Sequence, residues 1–394
     1  MMKESLSILK ALFRDYYTRA SLDLPSDFYV REFAIQPIGV ETYVRHLSFS
    51  SISELKQYLV TNVPLHLYYS SARYREPGNT TMSEKGWMGS DLVFDIDADH
   101  IPKCVDRIEL WYCRSCGFIS TDTDVKTCPY CGSKLSRFDH IGPSCIDMAK
   151  HEVLKLIDVL EHDLGYTNIK LAFSGHRGFH IVVELSNDEA LMPADARREI
   201  IDYLKLSQVN IDDLKIRVIK HGKNRILTLP PRITDGGVRR RIARYLASRI
   251  SQPQLRDFIL GRSWYIDVST ISRYANEINR LIDEAFSEAV VHVDEKVTID
   301  TSRLIRVPMS INGKSGWLVM PINDLDISNF SLDPAVLSPF NNVTFSIVML
   351  VKLPEIIVID RRFRFNQGDK VVLEGAYALY FVLKGVAKIV GIKR

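Results

Sequence analysis

The sequence predicts a mixed α/β fold in which β-sheets flanked by helices are interrupted by two insertions. Short apolar runs typical of strands occur in the first half of the chain and return near its end. A cysteine-rich segment, 103–143, breaks this pattern with several glycines and prolines, and a segment rich in Arg and Glu, 188–289, has mainly helical periodicity. We therefore expect one discontinuous domain over residues 1–394, with a cysteine-rich insertion at 103–143 and a mostly helical insertion at 188–289.

The expected elements follow in order along the chain. A capping box, Ser51-x-x-Glu54, begins a helix that runs to about Val60. Apolar residues at three- and four-residue spacing predict a long helix from Ile146 that ends at Gly165. The expected strands are residues 65–69, 91–97, 169–173, 179–185, 304–307, 317–320, 377–383 and 386–392.

Composition excludes several classes of protein. Charged residues make up 25% and hydrophobic residues 46% of the 394 residues, which is the balance of an ordinary globular protein. No apolar run is long enough to cross a membrane, and the N-terminus lacks the apolar core of a signal peptide, so a cytoplasmic protein is expected. Six cysteines without a secretion signal predict a reducing compartment and metal ligation, with Cys104 and Cys145 as buried free thiols.

Positive charge is clustered although the net charge is only +3. Basic residues group at 239–244 and at 361–364, the second group interleaved with aromatic residues. Two interpretations stay open for each patch, namely a solvated face and a surface that contacts phosphates.

Two carboxylates interrupt an otherwise apolar strand at residues 92–97. Side chains alternate along a strand, so Asp95 and Asp97 share one face while Phe94 and Ile96 point to the other. Their Cα atoms are expected roughly 6.5–7 Å apart, close enough to bind divalent cations jointly. The alternative is a solvated pair on an edge strand.

Four cysteines form two Cys-x2-Cys knuckles separated by eleven residues: Cys113, Cys116, Cys128 and Cys131. Two pairs that each present two thiolates across a turn are the usual arrangement of a tetrahedral zinc site. Because four thiolates leave no open coordination position, we expect this Zn²⁺ to be structural.

A compact polar turn, Ser174 to His180, joins two predicted strands. Its glycines allow backbone amides to approach a ligand, and Ser174, Arg177 and His180 can donate hydrogen bonds to phosphate oxygens. The turn is not a Walker loop, because Gly-x4-Gly-Lys-Ser/Thr is absent.

A later stretch adds one more acid, Asp294, and further cations, among them Arg306 and Lys314. With the two carboxylates of residues 92–97, it supplies three acids for two Mg²⁺ or Mn²⁺ ions and basic side chains for a triphosphate. Two-metal phosphoryl or nucleotidyl transfer requires this set of groups.

The chain resembles the small catalytic subunit of archaeal and eukaryotic DNA primase. The resemblance is carried, in order, by residues 92–97, the cysteine knuckles, residues 174–180 and the segments 293–294 and 303–306. Two N-terminal segments, 31–33 and 44–49, also match, so the resemblance covers about residues 25–320. It implies a primase-type catalytic core and an archaeal origin.

The resemblance further implies roles for individual residues. Asp95, Asp97 and Asp294 would be the catalytic acids that bind Mg²⁺ or Mn²⁺. The nucleotide-binding residues would be Ser174, His176, Arg177, His180, Arg306 and Lys314. The chain departs from the family pattern at His176, where Arg is frequent, and at Asn312, where His is usual.

The implied function is a primase that makes short RNA primers on single-stranded DNA for replication, with DNA primers left open. Its implied partners are a large primase subunit, the single-stranded DNA template and nucleoside triphosphates, and an archaeal member would be associated with the nucleoid. Two alternatives stay open: an end-joining repair polymerase with the same core, and a zinc-ribbon nucleic-acid-binding protein without enzymatic activity.

Overall fold

The computed structural model describes residues 3–221 and 224–393. Several of its helices begin at a residue whose side chain caps the helix. Ser51 Oγ accepts a hydrogen bond from the Glu54 amide at 3.2 Å, as predicted, and Asp294 caps a later helix in the same way. No helix of these residues is both long and apolar enough to cross a membrane. The α-helices are α1 (Lys3–Arg19), α2 (Ile52–Asn62), α3 (Pro143–His162), α4 (Asn187–Ala190), α5 (Ala194–Lys205), α6 (Gly237–Arg249), α7 (Pro253–Ile259), α8 (Val268–Ala289), α9 (Glu295–Ile299), α10 (Pro334–Leu337) and α11 (Gly375–Leu383).

The strands alternate with these helices, which confirms the predicted mixed α/β class. They are β1 (Arg31–Pro37), β2 (Val44–Leu47), β3 (Pro64–Tyr74), β4 (Trp87–Ser90), β5 (Leu92–Asp97), β6 (Arg107–Tyr112), β7 (Ile119–Ser120), β8 (Ser136–Ile141), β9 (Ile169–Phe173), β10 (Gly178–Val183), β11 (Val218–His221), β12 (Asn224–Leu227), β13 (Leu304–Arg306), β14 (Ile311–Asn312), β15 (Trp317–Leu318), β16 (Met320–Ile322), β17 (Thr344–Met349), β18 (Leu353–Val358), β19 (Arg361–Phe365), β20 (Lys370–Glu374) and β21 (Ala387–Lys393).

The structure divides into two units, and the first contains residues 1–151, 168–194 and 294–394. Its two main sheets are antiparallel and have the strand orders β2-β1-β3-β13, with β4 also paired to β3, and β16-β9-β10-β5. The apolar faces of the second sheet are buried, since Phe94, Ile96, Phe173, Phe179 and Ile181 are fully inaccessible to solvent. Smaller sheets are formed by β7-β6-β8, β14-β15, β20-β17-β21 and β18-β19.

The second unit contains residues 152–167 and 195–293 and is mainly helical. An apolar core from α6, α7 and α8 holds it together. Arg240 is nearly buried against this core and pairs with Asp158 at 2.8 Å and Asp163 at 2.9 Å. The basic patch at 239–244 is therefore partly an internal ion-pair network, because a buried guanidinium requires carboxylate partners.

One predicted strand is wrong: residues 377–383 belong to α11, not to a sheet. The run from Ala376 to Val382 is buried on every side. A short helix with no exposed face has no 3.6-residue alternation, so its sequence cannot be distinguished from that of a buried strand by periodicity.

Cys104 and Cys145 form a disulfide, which corrects the prediction of free thiols. The Gly142 amide donates to the Asp106 carbonyl oxygen at 2.8 Å, so the chain returns to the same place after the cysteine knuckles. This return brings the two Cα atoms to 5.2 Å, within the usual range for a disulfide. The 41-residue separation conceals the proximity of the two cysteines in the sequence.

Candidate active site

Asp95 and Asp97 lie at the end of β5 on the face opposite to Phe94 and Ile96, as the alternation of a strand requires. Both carboxylates are partly exposed, whereas Phe94 and Ile96 are buried. Burial raises the pKa of Asp97 to about 7, and the charges of Asp99 and Asp95 act in the same direction while Arg177 opposes them. A cation between these acids would therefore be stabilising.

A backbone hydrogen bond holds Asp294 beside Asp95. Its amide donates to the carbonyl oxygen of Asp95 at 3.0 Å, and its carboxylate accepts from the Lys296 amide at 3.0 Å. In the part of the chain that the structure describes, only the four cysteines form a group of three or more possible ligands close enough to share a metal ion. The three acids are thus neighbours whose oxygens have not converged, as expected of like charges.

The turn from Ser174 to His180 connects β9 to β10 and lies against β5. Ser174 Oγ accepts from the Gly178 amide at 3.2 Å and closes the turn. Two glycines are required: Gly175 has φ +75°, and a Cβ on Gly178 would come within 2.2 Å of the Ile96 carbonyl oxygen. The turn can lie this close to the acids only because position 178 has no side chain.

Arg177 links the turn to the acids. Its guanidinium lies 2.8 Å from Asp97, 2.7 Å from Asp99 and 3.1 Å from Asp139. Burial opposes its charge, but these carboxylates raise the pKa of Arg177. The residue predicted to bind phosphate thus pairs with carboxylates in this structure.

His180 lies directly opposite Asp95 in the β10–β5 register, with its Nε2 atom 3.9 Å from a carboxylate oxygen of Asp95. Burial lowers the pKa of His180 to about 4, so the ring is neutral near pH 7. Its Nδ1 atom and the Nε atom of Arg306 are buried without a hydrogen-bond partner. Both residues, with Arg303 and Tyr68, line one cleft that also includes Asp95.

Asn312, which stands where the family usually has His, holds the turn in place. Its Nδ2 donates to the Ser174 carbonyl oxygen at 2.7 Å, and its Oδ1 accepts from the Lys314 amide at 2.9 Å. Desolvation and the nearby cations Arg306 and Arg177 lower the pKa of Lys314. Positive charge is therefore concentrated beside the turn.

The sequence reasoning missed three charged residues of this site: Asp99, Asp139 and Lys384. Asp99 follows Asp97 by two residues, so the sequence itself shows that the alternation of acids continues to Asp99. Asp139 lies on β8 beyond the cysteine knuckles, and Lys384 follows α11 in a region without a recognised motif. Only the three-dimensional structure brings these two residues to Arg177 and His176.

The four predicted cysteines converge into one cluster, as expected. Their sulfur atoms all lie within 4.8 Å of one another, with Cys113 to Cys131 at 3.4 Å and Cys116 to Cys128 at 3.5 Å. Thiolates at the corners of a zinc tetrahedron are about 3.8 Å apart, from Zn–S bonds of about 2.3 Å. The cluster is compatible with zinc.

Comparison with known proteins identifies the family. The family model of the DNA primase small subunit matches residues 122–324. Proteins named DNA primase small subunit PriS are 36% identical in Hyperthermus butylicus, over 96% of this chain and 95% of the relative, and 35% identical in Staphylothermus marinus, over 97% and 94%. The relative from Saccharolobus solfataricus is 33% identical over 97% and 95%. These matches confirm the predicted resemblance, and the chain belongs to the DNA primase small subunit family.

Proposed function

We propose that this chain is the catalytic subunit of a DNA primase, which synthesises short RNA primers on single-stranded DNA by two-metal nucleotidyl transfer. The observation that carries the proposal is the ion pair between Arg177, which belongs to the Ser174–His180 turn, and Asp97 at the end of β5. It places carboxylates suited to divalent cations beside groups suited to a triphosphate. Near-full-length relatives named as primase small subunits support the same activity.

Asp95, Asp97 and Asp294 are the residues that would hold Mg²⁺ or Mn²⁺. Carboxylate oxygens are the ligands these hard cations prefer. Burial, and after it the negative charges of Asp99 and Asp95, raises the pKa of Asp97, and a divalent cation would offset both effects. When bound, such ions activate the attacking hydroxyl and neutralise charge on the reacting phosphate.

The triphosphate would satisfy groups that have no partner inside the protein. A buried polar group without a hydrogen bond costs about 1–3 kcal/mol, and both His180 Nδ1 and Arg306 Nε are in this state. Neutral His180 would donate a hydrogen bond to a phosphate oxygen in the tautomer that carries the proton on Nδ1, without adding a charge. Arg306, Lys314 and Arg177 would supply the positive charge, and Ser174 and His176 would complete the nucleotide contacts.

Zn²⁺ would be held by the four cysteines and would stabilise the insertion structurally. The described core of this module is small, consisting of Cys113, Cys128 and Leu135 with three partly buried neighbours. So small a core needs additional stabilisation. The boundaries 103–143 and 188–289 for the two insertions stay predictions.

The partner would be a large primase subunit, since relatives named as a small subunit imply a second component. We place the assembled enzyme in the cytoplasm on nucleoid DNA, where its template is found.

The test is an incorporation assay on circular single-stranded DNA, which has no 3′ hydroxyl, with ribonucleotides and Mg²⁺ or Mn²⁺. We expect products that keep a 5′ triphosphate. Extension of an added primer without such products would favour a repair polymerase, and binding without any incorporation would favour a non-enzymatic zinc-ribbon protein.

A further inference from the structure

Lys384 lies deep in the first unit although it belongs to the C-terminal part of the chain. Its side chain is 5% exposed, and its Nζ atom lies 3.0 Å from Asp139 Oδ1 and 2.8 Å from His176 Nε2. An ammonium group has only donors, so His176 Nε2 must be the acceptor and the ring must be neutral. Burial, followed by the charge of Lys384, lowers the pKa of His176 well below its usual value, in agreement with this geometry.

Several contacts fix the place of Lys384. The Tyr112 hydroxyl donates to the Lys384 carbonyl oxygen at 3.0 Å. Trp317 stacks on Tyr380 with ring centres 5.2 Å apart, and its Nε1 donates to the Ala376 carbonyl oxygen at 2.9 Å. Helix α11 is thus anchored to β15, next to Lys314, and presents Lys384 at its C-terminal end.

The chain of charges continues from Lys384 to the acids. Asp139 accepts from Lys384 through Oδ1 and from Arg177 through Oδ2, the latter at 3.1 Å. Arg177 in turn contacts Asp97 at 2.8 Å. Without the ammonium, Asp139 would lose one of its two cationic partners, and His176 would lose its donor.

We propose that Lys384 is a positioning residue of the nucleotide site, which holds His176 directly and holds Arg177 through Asp139. The inference rests on the proposed function, because it assigns Arg177 and His176 to the nucleotide. It also gives residues beyond 324, outside the segment matched by the family model, a direct part in the site.

The test measures nucleotide KM and kcat for primer extension by the two-subunit enzyme, together with its affinity for primer–template. Lys384→Met should raise the nucleotide KM at least tenfold with kcat and primer–template affinity within threefold of wild type. Lys384→Arg, which keeps the charge, should stay within threefold in KM. Lys352→Met, at an exposed lysine of the same C-terminal segment, is the matched control and should change nothing.

Asp139→Asn provides a second route if Lys384→Met does not fold, because it removes the charge with little change of shape. It should raise the nucleotide KM in the same way. The double variant should raise KM by less than the product of the two single fold-changes, because both substitutions break the same contact. His176→Arg in the Lys384→Met background should recover part of the loss by returning a positive charge beside the missing ammonium.

Nucleotide KM values within twofold of wild type for Lys384→Met, or for Asp139→Asn where Lys384→Met does not fold, would overturn the inference while leaving the proposed function in place. Absence of incorporation by the wild-type enzyme would instead overturn the proposed function and, with it, this inference. A lowered melting temperature with unchanged KM would show that Lys384 only stabilises the fold.

Discussion

At the scale of single residues, one guanidinium contacts three of the carboxylates at the site. Arg177 contacts Asp97, Asp99 and Asp139 within 3.1 Å. The sequence indicated a phosphate role for Arg177 because it lies in a glycine-rich polar turn. It could not indicate the pairing with Asp139, which lies 38 residues away on another sheet.

The first prediction concerns Arg177 and His180. Replacing either by Ala should weaken nucleotide use more than tenfold, because charge-assisted hydrogen bonds are worth about 1.5–3 kcal/mol. Nucleotide KM and kcat from steady-state extension assays are the measurement. Arg137→Ala removes an exposed arginine of β8 that pairs with Glu109 at 2.8 Å, so it serves as a control that should leave both constants unchanged. Loss of template affinity with normal nucleotide kinetics would assign the turn to the template.

The second prediction concerns His140, whose Nδ1 lies 2.7 Å from the Tyr380 hydroxyl. Burial lowers the pKa of His140 to about 4. The unfolded chain therefore takes up a proton below about pH 6.5, whereas the folded protein does so only near pH 4, and stability falls as the pH falls through this window. Between pH 7 and pH 5 this single group should remove about 1–2 kcal/mol of the free energy of unfolding.

Chemical denaturation of wild type and His140→Gln at the two pH values measures this contribution. The variant should lose less stability on acidification, and the difference cancels the effects of other buried histidines and of zinc release. Equal losses in both proteins would mean that His140 titrates normally in the folded state.

At the scale of elements, predictions succeeded where a local pattern determined the structure. The run 92–97 became β5 with its acids on one face, and the four cysteines converged. Helix α11 was missed because it is buried all round, and the Cys104–Cys145 disulfide was missed because contacts between distant segments create it. Lys384 escaped notice for both reasons, since it follows the misassigned helix and meets its partners only in three dimensions.

The third prediction concerns the cysteine cluster. Elemental analysis should find one Zn²⁺ per chain, and Cys116→Ser with a chelator should release it. Because structural zinc contributes folding free energy, the metal-free protein should become sensitive to proteolysis within residues 103–143. Cys104→Ser, which breaks the disulfide but spares the cluster, should keep its zinc. A metal-free wild-type preparation that resists cleavage there would contradict the zinc assignment.

At the scale of the whole molecule, we assign one nucleotide site to the described residues of the first unit, built by Asp95, Asp97, Asp294 and the turn. Starting a primer requires two nucleotides held at once without the affinity that a paired primer provides. A single site does this poorly, because the entropic costs of both nucleotides must be met from few contacts.

The fourth prediction follows for the isolated chain, which should extend an existing primer more readily than it starts one. Addition of the large subunit should raise initiation selectively. The measurement compares dinucleotide formation with extension, with and without the large subunit and at matched extension activity. Equal initiation in both cases would show that this chain holds both nucleotides itself.

The central claim is that the acids gathered at β5 form the catalytic centre of the assembled enzyme. The most direct measurement is primer synthesis on circular single-stranded DNA by the two-subunit enzyme carrying Asp95→Asn, Asp97→Asn or Asp294→Asn. Each variant should keep its melting temperature and template affinity but lose primer synthesis by at least a hundredfold, because the oxygen ligands for the divalent cations are lost. If Asp294→Asn alone keeps synthesis within a few-fold of wild type, another acid, such as Asp300, is the third ligand. Synthesis within a few-fold of wild type by a folded Asp97→Asn enzyme would contradict the claim.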